Sequence, residues 1–230
     1  DLQRSICEEH AAEAAFLWTQ RDRAVVDPSY DRDDVAVVDE RLETHLDGLR
    51  HVADVGLECA TALLDEELGP GEAFVATLVA LEQGDVRVIA HALDVAGEAP
   101  LGARGIVSAL GWAPQNAFDA LLPGFLSKRC PPALQRLGLR GCAIRRHRPP
   151  DAMLEWALSS ADPRLRADAL RAVGELKFQT LMQHLRVFMD DPDESCRFWA
   201  AWSGTLLGDT QAVEALWAFA LRAHPHAELA

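Results

Sequence analysis

A step of about 31 residues, the length of one helical-hairpin repeat, brings the second half of this chain into register with itself, and no other feature restricts its folding as strongly. At that step Ala103, Leu134, Leu165 and Cys196 share one column. Val107, Gly138, Ala169 and Ala200 share the next, and Gly111, Cys142, Val173 and Gly204 a third. These small and apolar positions recur at i, i+4 and i+8, the spacing of one helix face. A second set follows in each block: Leu154, Leu185 and Leu216 align, as do Leu126, Ala157, Phe188 and Phe219. Each block therefore predicts two short helices, an αα-hairpin. One hairpin cannot bury its own apolar face, so neighbours must stack. The predicted fold class is all-α, an α-solenoid of helical hairpins, an architecture that usually binds rather than catalyses.

The N-terminal part follows a different rhythm. Residues 2–24 predict a helix, with Ile6, Ala14, Leu17 and Trp18 on one face. The segment Val26-Asp27-Pro28-Ser29-Tyr30-Asp31 predicts a turn, because Pro fixes φ and Asp and Ser bond the local backbone. A second helix is expected from about Asp33 to Val55, capped by Asp33 or Asp34 and interrupted by Gly56, with a third helix running to Leu68. Residues 1–55 are thus expected to form a long-helix hairpin that caps the solenoid. Gly69-Pro70-Gly71 is a firm break, and 72–82 with 85–97 predict a further helical pair. Residues 56–99 read as irregular repeats, and 100–230 as the regular ones, with blocks starting near Pro100, Pro131, Asp162 and Asp193. Asp162-Pro163 and Asp191-Pro192 both look like helix starts. Their separation falls two positions short of the column step, which predicts inter-repeat turns of unequal length.

Composition narrows the function classes. Of 230 residues 49% are apolar, enough to bury a sizeable core. No apolar run is long enough to span a membrane and no signal peptide opens the chain. The chain lacks an initiating Met and stops within the repeats, so we expect a piece of a longer protein, truncated at its C-terminal end. The five cysteines are widely spaced, with no C-x-x-C, which fits a reducing, cytoplasmic compartment and no zinc site. The net charge of −14 repels phosphate backbones and anionic lipid, so neither nucleic acid nor membrane is expected as a partner. That charge is uneven. Residues 1–70 carry 18 acidic and 6 basic residues, whereas 128–148 carry 7 basic and no acidic ones.

The basic segment supplies the candidate site. Arg136 and Arg140 are i, i+4 on one helix, and Arg145, Arg146 and Arg148 follow in the adjoining loop, with Lys128, Arg129 and His147 nearby. Arginine recognises carboxylates bidentately, so these five arginines are the expected contacts for a protein partner with an acidic surface. The competing reading is that neighbouring repeats or the acidic N-terminal hairpin neutralise them. On the first reading, reversing the charge of Arg136 and Arg140 weakens partner binding without unfolding the chain. The aromatic group Phe198, Trp199, Trp202, Trp217 and Phe219 has the spacing of core packing between the last helices, although an uncapped end would expose part of it. His10 with Glu13, and Asp39, Arg41, Glu43 and His45, invite a metal or acid–base reading. They lack the paired Glu-x-x-His pattern of a carboxylate-bridged site and fit a solvated helix face, with Asp39, Glu40 and Arg41 making ion pairs that fix the hairpin. No nucleophile elbow, P-loop or dinucleotide fingerprint occurs, so no catalytic residue, metal or cofactor is expected.

The segment Asp162-Pro163-Arg164-Leu165-Arg166-Ala167-Asp168-Ala169-Leu170-Arg171-Ala172-Val173-Gly174 resembles the first helix of a HEAT repeat, and Pro192 to Gly204 resembles a second copy. The chain as a whole is similar to an uncharacterised bacterial HEAT-repeat family found near type VI secretion genes. That resemblance rests on Glu9-His10-Ala11-Ala12-Glu13-Ala14-Ala15-Phe16-Leu17-Trp18, on Pro28-Ser29-Tyr30, and on Asp39 to Leu49. It continues through Val107-Ser108-Ala109-Leu110-Gly111-Trp112 and Cys196-Arg197-Phe198-Trp199-Ala200-Ala201-Trp202. The stacked-hairpin architecture leads us to expect a non-catalytic scaffold or adaptor for protein–protein interaction, to which the resemblance adds an association with type VI secretion. Two alternatives stay open. One is a HEAT-like enzyme, such as a DNA glycosylase for alkylated bases or a bilin lyase; a glycosylase would need a broader basic surface. The other is a structural subunit that self-associates through its C-terminal end.

Overall fold

The computed structural model describes residues 2–97 and 99–221. The end of the expected repeat region, residues 222–230, lies outside the described residues. Thirteen α-helices and no strand occur among the described residues, and no helix there is long and apolar enough to cross a membrane. The helices group into two compact units, 1–122 and 123–230. Sequence regularity divides the chain at 55/56 and 99/100; packing divides it after Leu122.

The first unit holds α1 (Leu2–Ala24), α2 (Arg32–His51), α3 (Ala53–Glu66), α4 (Pro70–Gln83), α5 (Val86–Ala96) and α6 (Pro100–Trp112). Helix α7 (Gln115–Phe125) runs across the boundary. The unit is built around α4. Its sequence from Ala73 to Leu81 has one polar residue, Thr77, and every residue of that run is buried. A helix that is apolar all round can only be an interior helix, and α4 touches α1, α2, α3, α5 and α6. Trp18 of α1 stacks on Phe74 of α4 at 5.3 Å, and Phe74 meets Trp112 of α6 edge-on at 5.6 Å. The indole N–H of Trp18 donates to Ser108 Oγ at 3.0 Å, which satisfies the polar end of a fully buried ring.

Ion pairs fasten the long hairpin. Arg21 of α1 donates to Asp39 of α2 at 2.8 Å. Arg50 bonds Glu82 of α4 through Nε and Nη2, and Glu43 and Asp47 through Nη1. These carboxylates, Glu82 foremost, raise the guanidinium pKa above its already high ordinary value.

Two local expectations change here. Helix α2 is capped by Asp31, not by Asp33 or Asp34. The Asp31 carboxylate accepts from the N–H groups of Asp33 and Asp34, and the Asp34 carboxylate accepts from the Asp31 N–H, a reciprocal capping box. The break after α2 falls at Val52 (φ −120°, ψ 41°), not at Gly56, which lies buried inside α3. A Cβ on Gly56 would sit 2.3 Å from the Leu49 carbonyl oxygen. Gly56 is therefore the residue that lets α3 start against the last turn of α2, while the bend itself comes one helical turn earlier.

The second unit contains α8 (Pro132–Ile144), α9 (Asp151–Leu158), α10 (Pro163–Glu175), a 3-10 turn (Gln179–Leu181) leading into α11 (Met182–Phe188), α12 (Glu194–Leu206) and α13 (Thr210–Ala220). These are three stacked hairpins, an α-solenoid. Helix α10 packs between α8 and α12. The columns Leu134/Leu165/Cys196, Gly138/Ala169/Ala200, Cys142/Val173/Gly204 and Leu154/Leu185/Leu216 are all buried. Burial pushes the thiols of Cys142 and Cys196 up to about 12, so both stay protonated and act as small apolar residues. The block starting at Pro100 departs from the columns. Gly111 is exposed, and α6 belongs to the first unit, where it packs on α4.

The repeat period is more regular than the Asp-Pro pairs suggest. Asp162 caps α10 by accepting from the Arg164 N–H, and Asp193 caps α12 by accepting from the Cys196 N–H. The two caps are separated by the full column step, without the shortfall that the Asp-Pro pairs imply. Asp191, taken from sequence as the second cap, instead accepts from Arg166 of the preceding repeat.

Each first helix ends in the same way. His147, Phe178 and Asp209 donate N–H bonds of 2.9 Å back to the carbonyls of Cys142, Val173 and Gly204. The residue before each, Arg146, Lys177 or Gly208, is left-handed with φ of 54°, 55° and 89°. This is the Schellman termination, which favours glycine at the left-handed position. Only the third repeat has it. Lys177→Gly is expected to stabilise the fold by ~1 kcal/mol, and Gly208→Ala to destabilise it by about as much. Urea unfolding midpoints of the two variants against the parent check both signs.

Candidate functional site

The basic segment folds as α8 and the loop that follows it, and most of its cations contact neighbouring elements. Arg136 and Arg140, one turn apart on α8, both reach Asp168 of α10. Each donates through Nε at 2.9 Å, one to each carboxylate oxygen. The Asp168 side chain is 8% exposed and those of the two arginines 21% and 29%. Arg145 is the half-buried C-cap of α8. Arg146, in its left-handed turn, donates to the Glu175 carbonyl at 2.8 Å. Arg148 lies with its guanidinium carbon 3.6 Å from the centre of the Phe178 ring, and its Nη2 is 3.6 Å from the Asp151 carboxylate. Lys128 and Arg129 are exposed, and Lys128 lies 6.0 Å above the Trp156 ring. All five predicted arginines thus lie in one unit, and Arg136, Arg140, Arg146 and Arg148 are tied to named neighbours within it.

The same chemistry recurs down the stack. Gln135, Arg166 and Arg197 form one column of the repeat, and each donates to carbonyls of the turn before its own helix: Ser127; Ser160 and Ala161; Asp191 and Pro192. Turn carbonyls near the core need donors, and this column supplies them. Arg166 also reaches forward to both oxygens of Asp191. Burial pushes the Asp191 carboxyl up, but the Arg166 guanidinium and the Asp193 N–H outweigh it and hold the pKa below the ordinary carboxylate range. Arg186 of α11 bonds Asp209, the cap of α13, at 2.8 Å, and this pairing lowers the Asp209 pKa.

Asp168 was not singled out by sequence reasoning. Its signal was present: it is the one acid between Pro163 and Gly174, inside a helix otherwise made of Ala, Leu, Val and Arg.

The aromatic group divides. Phe198, Trp199 and Phe219 are buried, Trp202 is half-buried with its ring 5.3 Å from that of Trp199, and Trp217 is 64% exposed. The His/Glu grouping also resolves. His10 of α1 and His45 of α2 meet with Nδ1 atoms 3.1 Å apart, so one ring donates to the other. His10 borders a groove of about 450 Å³ lined by Leu2, Ile6, Cys7 and Val52. No group of three or more metal-ligating side chains occurs among the described residues.

Residues 150–228 match a family model described as HEAT repeats. Comparison with curated proteins and with solved structures returned no match.

Two outcomes follow from this geometry. Asp168→Ala leaves two guanidiniums without their shared acceptor and should destabilise the fold by ~2–4 kcal/mol. By the same reasoning, reversing Arg136 and Arg140 to glutamate gathers three carboxylates at one buried point. The structure corrects the expectation that this change spares the fold; a lowered melting temperature for both variants checks it. The second concerns pH. Burial first, then the neighbouring His10, lowers the His45 pKa, with Arg41 adding to the effect and Glu13 opposing it. A histidine with a depressed folded pKa favours the folded state while neutral, so stability should fall as pH drops below about 6.5. His45→Gln should reduce the difference between melting temperatures measured at about pH 7.5 and about pH 5.5.

Proposed function

Since residues 150–228 match HEAT repeats, we propose that this chain is a non-catalytic scaffold or adaptor that docks an acidic protein surface on the α8 side of its second unit. One observation carries the reading: the two arginines of α8 share a single carboxylate. Two guanidiniums against one carboxylate leave one unit of positive charge on a partly exposed face. Exposed Lys128, Arg129 and Arg148 add to it. Arg148 is oriented by its stack on Phe178, and holding a guanidinium in place reduces the entropy lost on binding a carboxylate. A cytoplasmic, bacterial setting and an association with type VI secretion are the finer part of this proposal; the first rests on the cysteine usage and the other two on the sequence resemblance.

The test needs variants that spare the fold. Arg136→Gln keeps Asp168 paired with Arg140 while removing the excess charge, and Arg148→Gln removes the oriented cation. The protein and the double variant are used as baits in lysate of the native bacterium, with captured proteins read by mass spectrometry. An acidic partner enriched by the parent should bind the double variant more weakly by on the order of tenfold, with affinity falling as salt rises. Equal capture by both baits would remove the α8 face from the proposal.

A further inference from the structure

The antiparallel packing of α1 on α2, which sets Arg21 against Asp39, also sets His10 against His45. Both histidines are half-buried, and their Nδ1 atoms stand 3.1 Å apart. The two ring planes cross at 64°. The His10 ring is held from behind. Its Cδ2, Nε2 and Cε1 atoms rest against Gly48 of α2, where an added Cβ would come within 2.7 to 2.8 Å of all three. A ring with its Nε2 edge on Gly48 turns its Nδ1 edge towards His45. Glu13, one helical turn after His10, adds a negative charge that acts on His45, and Arg41 adds a positive one. His10 also borders the groove beside Leu2 and Ile6, both exposed, so ions in solvent reach its ring.

We infer that His10 and His45 form a two-histidine site for a late first-row divalent cation, Zn²⁺, Ni²⁺ or Cu²⁺, held by the two Nδ1 atoms with water in the remaining positions. The separation fits such an ion. Imidazole nitrogens bind zinc at about 2.0–2.1 Å, so two of them on one ion stand about 2.8 to 3.4 Å apart at ligand angles of about 90–109°. The observed 3.1 Å lies inside that span. The torsion that turns an imidazole about its Cβ–Cγ bond is soft, so a small turn aims both lone pairs at a common point. Two half-buried rings on packed helices lose little freedom on chelation. Without metal, one ring donates its Nδ1 proton to the other. When the ion binds, that proton moves through solvent to Nε2 of the same ring, and the neutral pair offers two lone pairs with no net proton release. Imidazole selects these cations over Mg²⁺, which prefers oxygen ligands. The wider surroundings also favour a cation, because residues 1–122 hold 24 acidic and 8 basic residues, a net of −16. Spacing within one helix does not signal the site, since each helix supplies one ligand.

The measurement is calorimetric titration of the whole chain, stripped of metal with EDTA and dialysed, at about pH 7.5, where both rings are neutral. The probes are ZnCl₂, NiCl₂ and MgCl₂. Zinc and nickel should each bind at one equivalent, and magnesium should not. His10→Gln and His45→Gln should each abolish that equivalent. Gly48→Ala keeps both imidazoles but displaces the His10 ring, and should weaken binding by on the order of tenfold, as loss of a group that orients a ligand does. Far-UV circular dichroism confirms that each variant keeps its helices, and the other histidines of the chain are untouched in all three. A parent that takes up neither zinc nor nickel at one equivalent overturns the inference, because the pair is then only a hydrogen bond between helices. Uptake that survives in both histidine variants overturns it as well, since the ligands then lie elsewhere. Equal uptake of magnesium also overturns it, because the acidic surface alone would then account for binding.

Discussion

The second unit depends on how arginine spans the gap between one hairpin and the next. Every stacked hairpin leaves turn carbonyls close to an apolar core, where they have no water to bond. Arg166 answers this twice: one end of its guanidinium donates back to Ser160 and Ala161, the other forward to Asp191. A single side chain thereby closes the turn behind it and fixes the spacing of the repeat ahead. Arg197 repeats the backward half, and Arg136 and Arg140 repeat the forward half with Asp168. The acids are nearly buried, so each link requires its partner. Losing one member leaves a charge in a place that cannot hydrate it. Apolar columns hold the hairpins together, but the polar links set their register.

The first unit uses a different device. It has no such ladder, and its interior is one helix, α4, apolar on all sides and packed by the neighbouring helices of that unit. Aromatic rings join α1, α4 and α6, and a multidentate link, Arg50 to Glu82, ties the outer hairpin to the central helix. Charge follows the same division. A core that needs few arginines leaves the acidic side chains of α2 and α3 on the outside, and the first unit carries the whole net negative charge of the molecule.

This difference explains what was legible in the sequence. The repeat columns follow from burial, and burial is what hydrophobic spacing records, so the helices of the second unit and their inner faces could be read directly. The polar links could not. Asp190, Asp191 and Asp193 stand together, and any of them could cap α12; only the three-dimensional position of Arg166 assigns Asp191 to the ladder and Asp193 to the cap. The end of α2 was hidden for a related reason. Gly56 marks a close approach to Leu49, and a close approach looks in sequence like a break, although the chain bends at Val52. The meeting of His10 with His45 joins two separate helices, a pairing that no local spacing signals.

The candidate surface illustrates the same limit. Seven basic residues without an acid between them look like a docking patch, and five of them carry the structure's own repeats or pack on its aromatic rings. The acid that meets Arg136 and Arg140, Asp168, comes from the next repeat, about one period away. In a solenoid the natural partner of a charged helix is the neighbouring repeat, so a charge run gains functional meaning only where it exceeds what that neighbour can neutralise. On α8 the excess is one guanidinium. A repeat protein is most informative where it departs from its own pattern, because the constraint of joining like to like has been relaxed there.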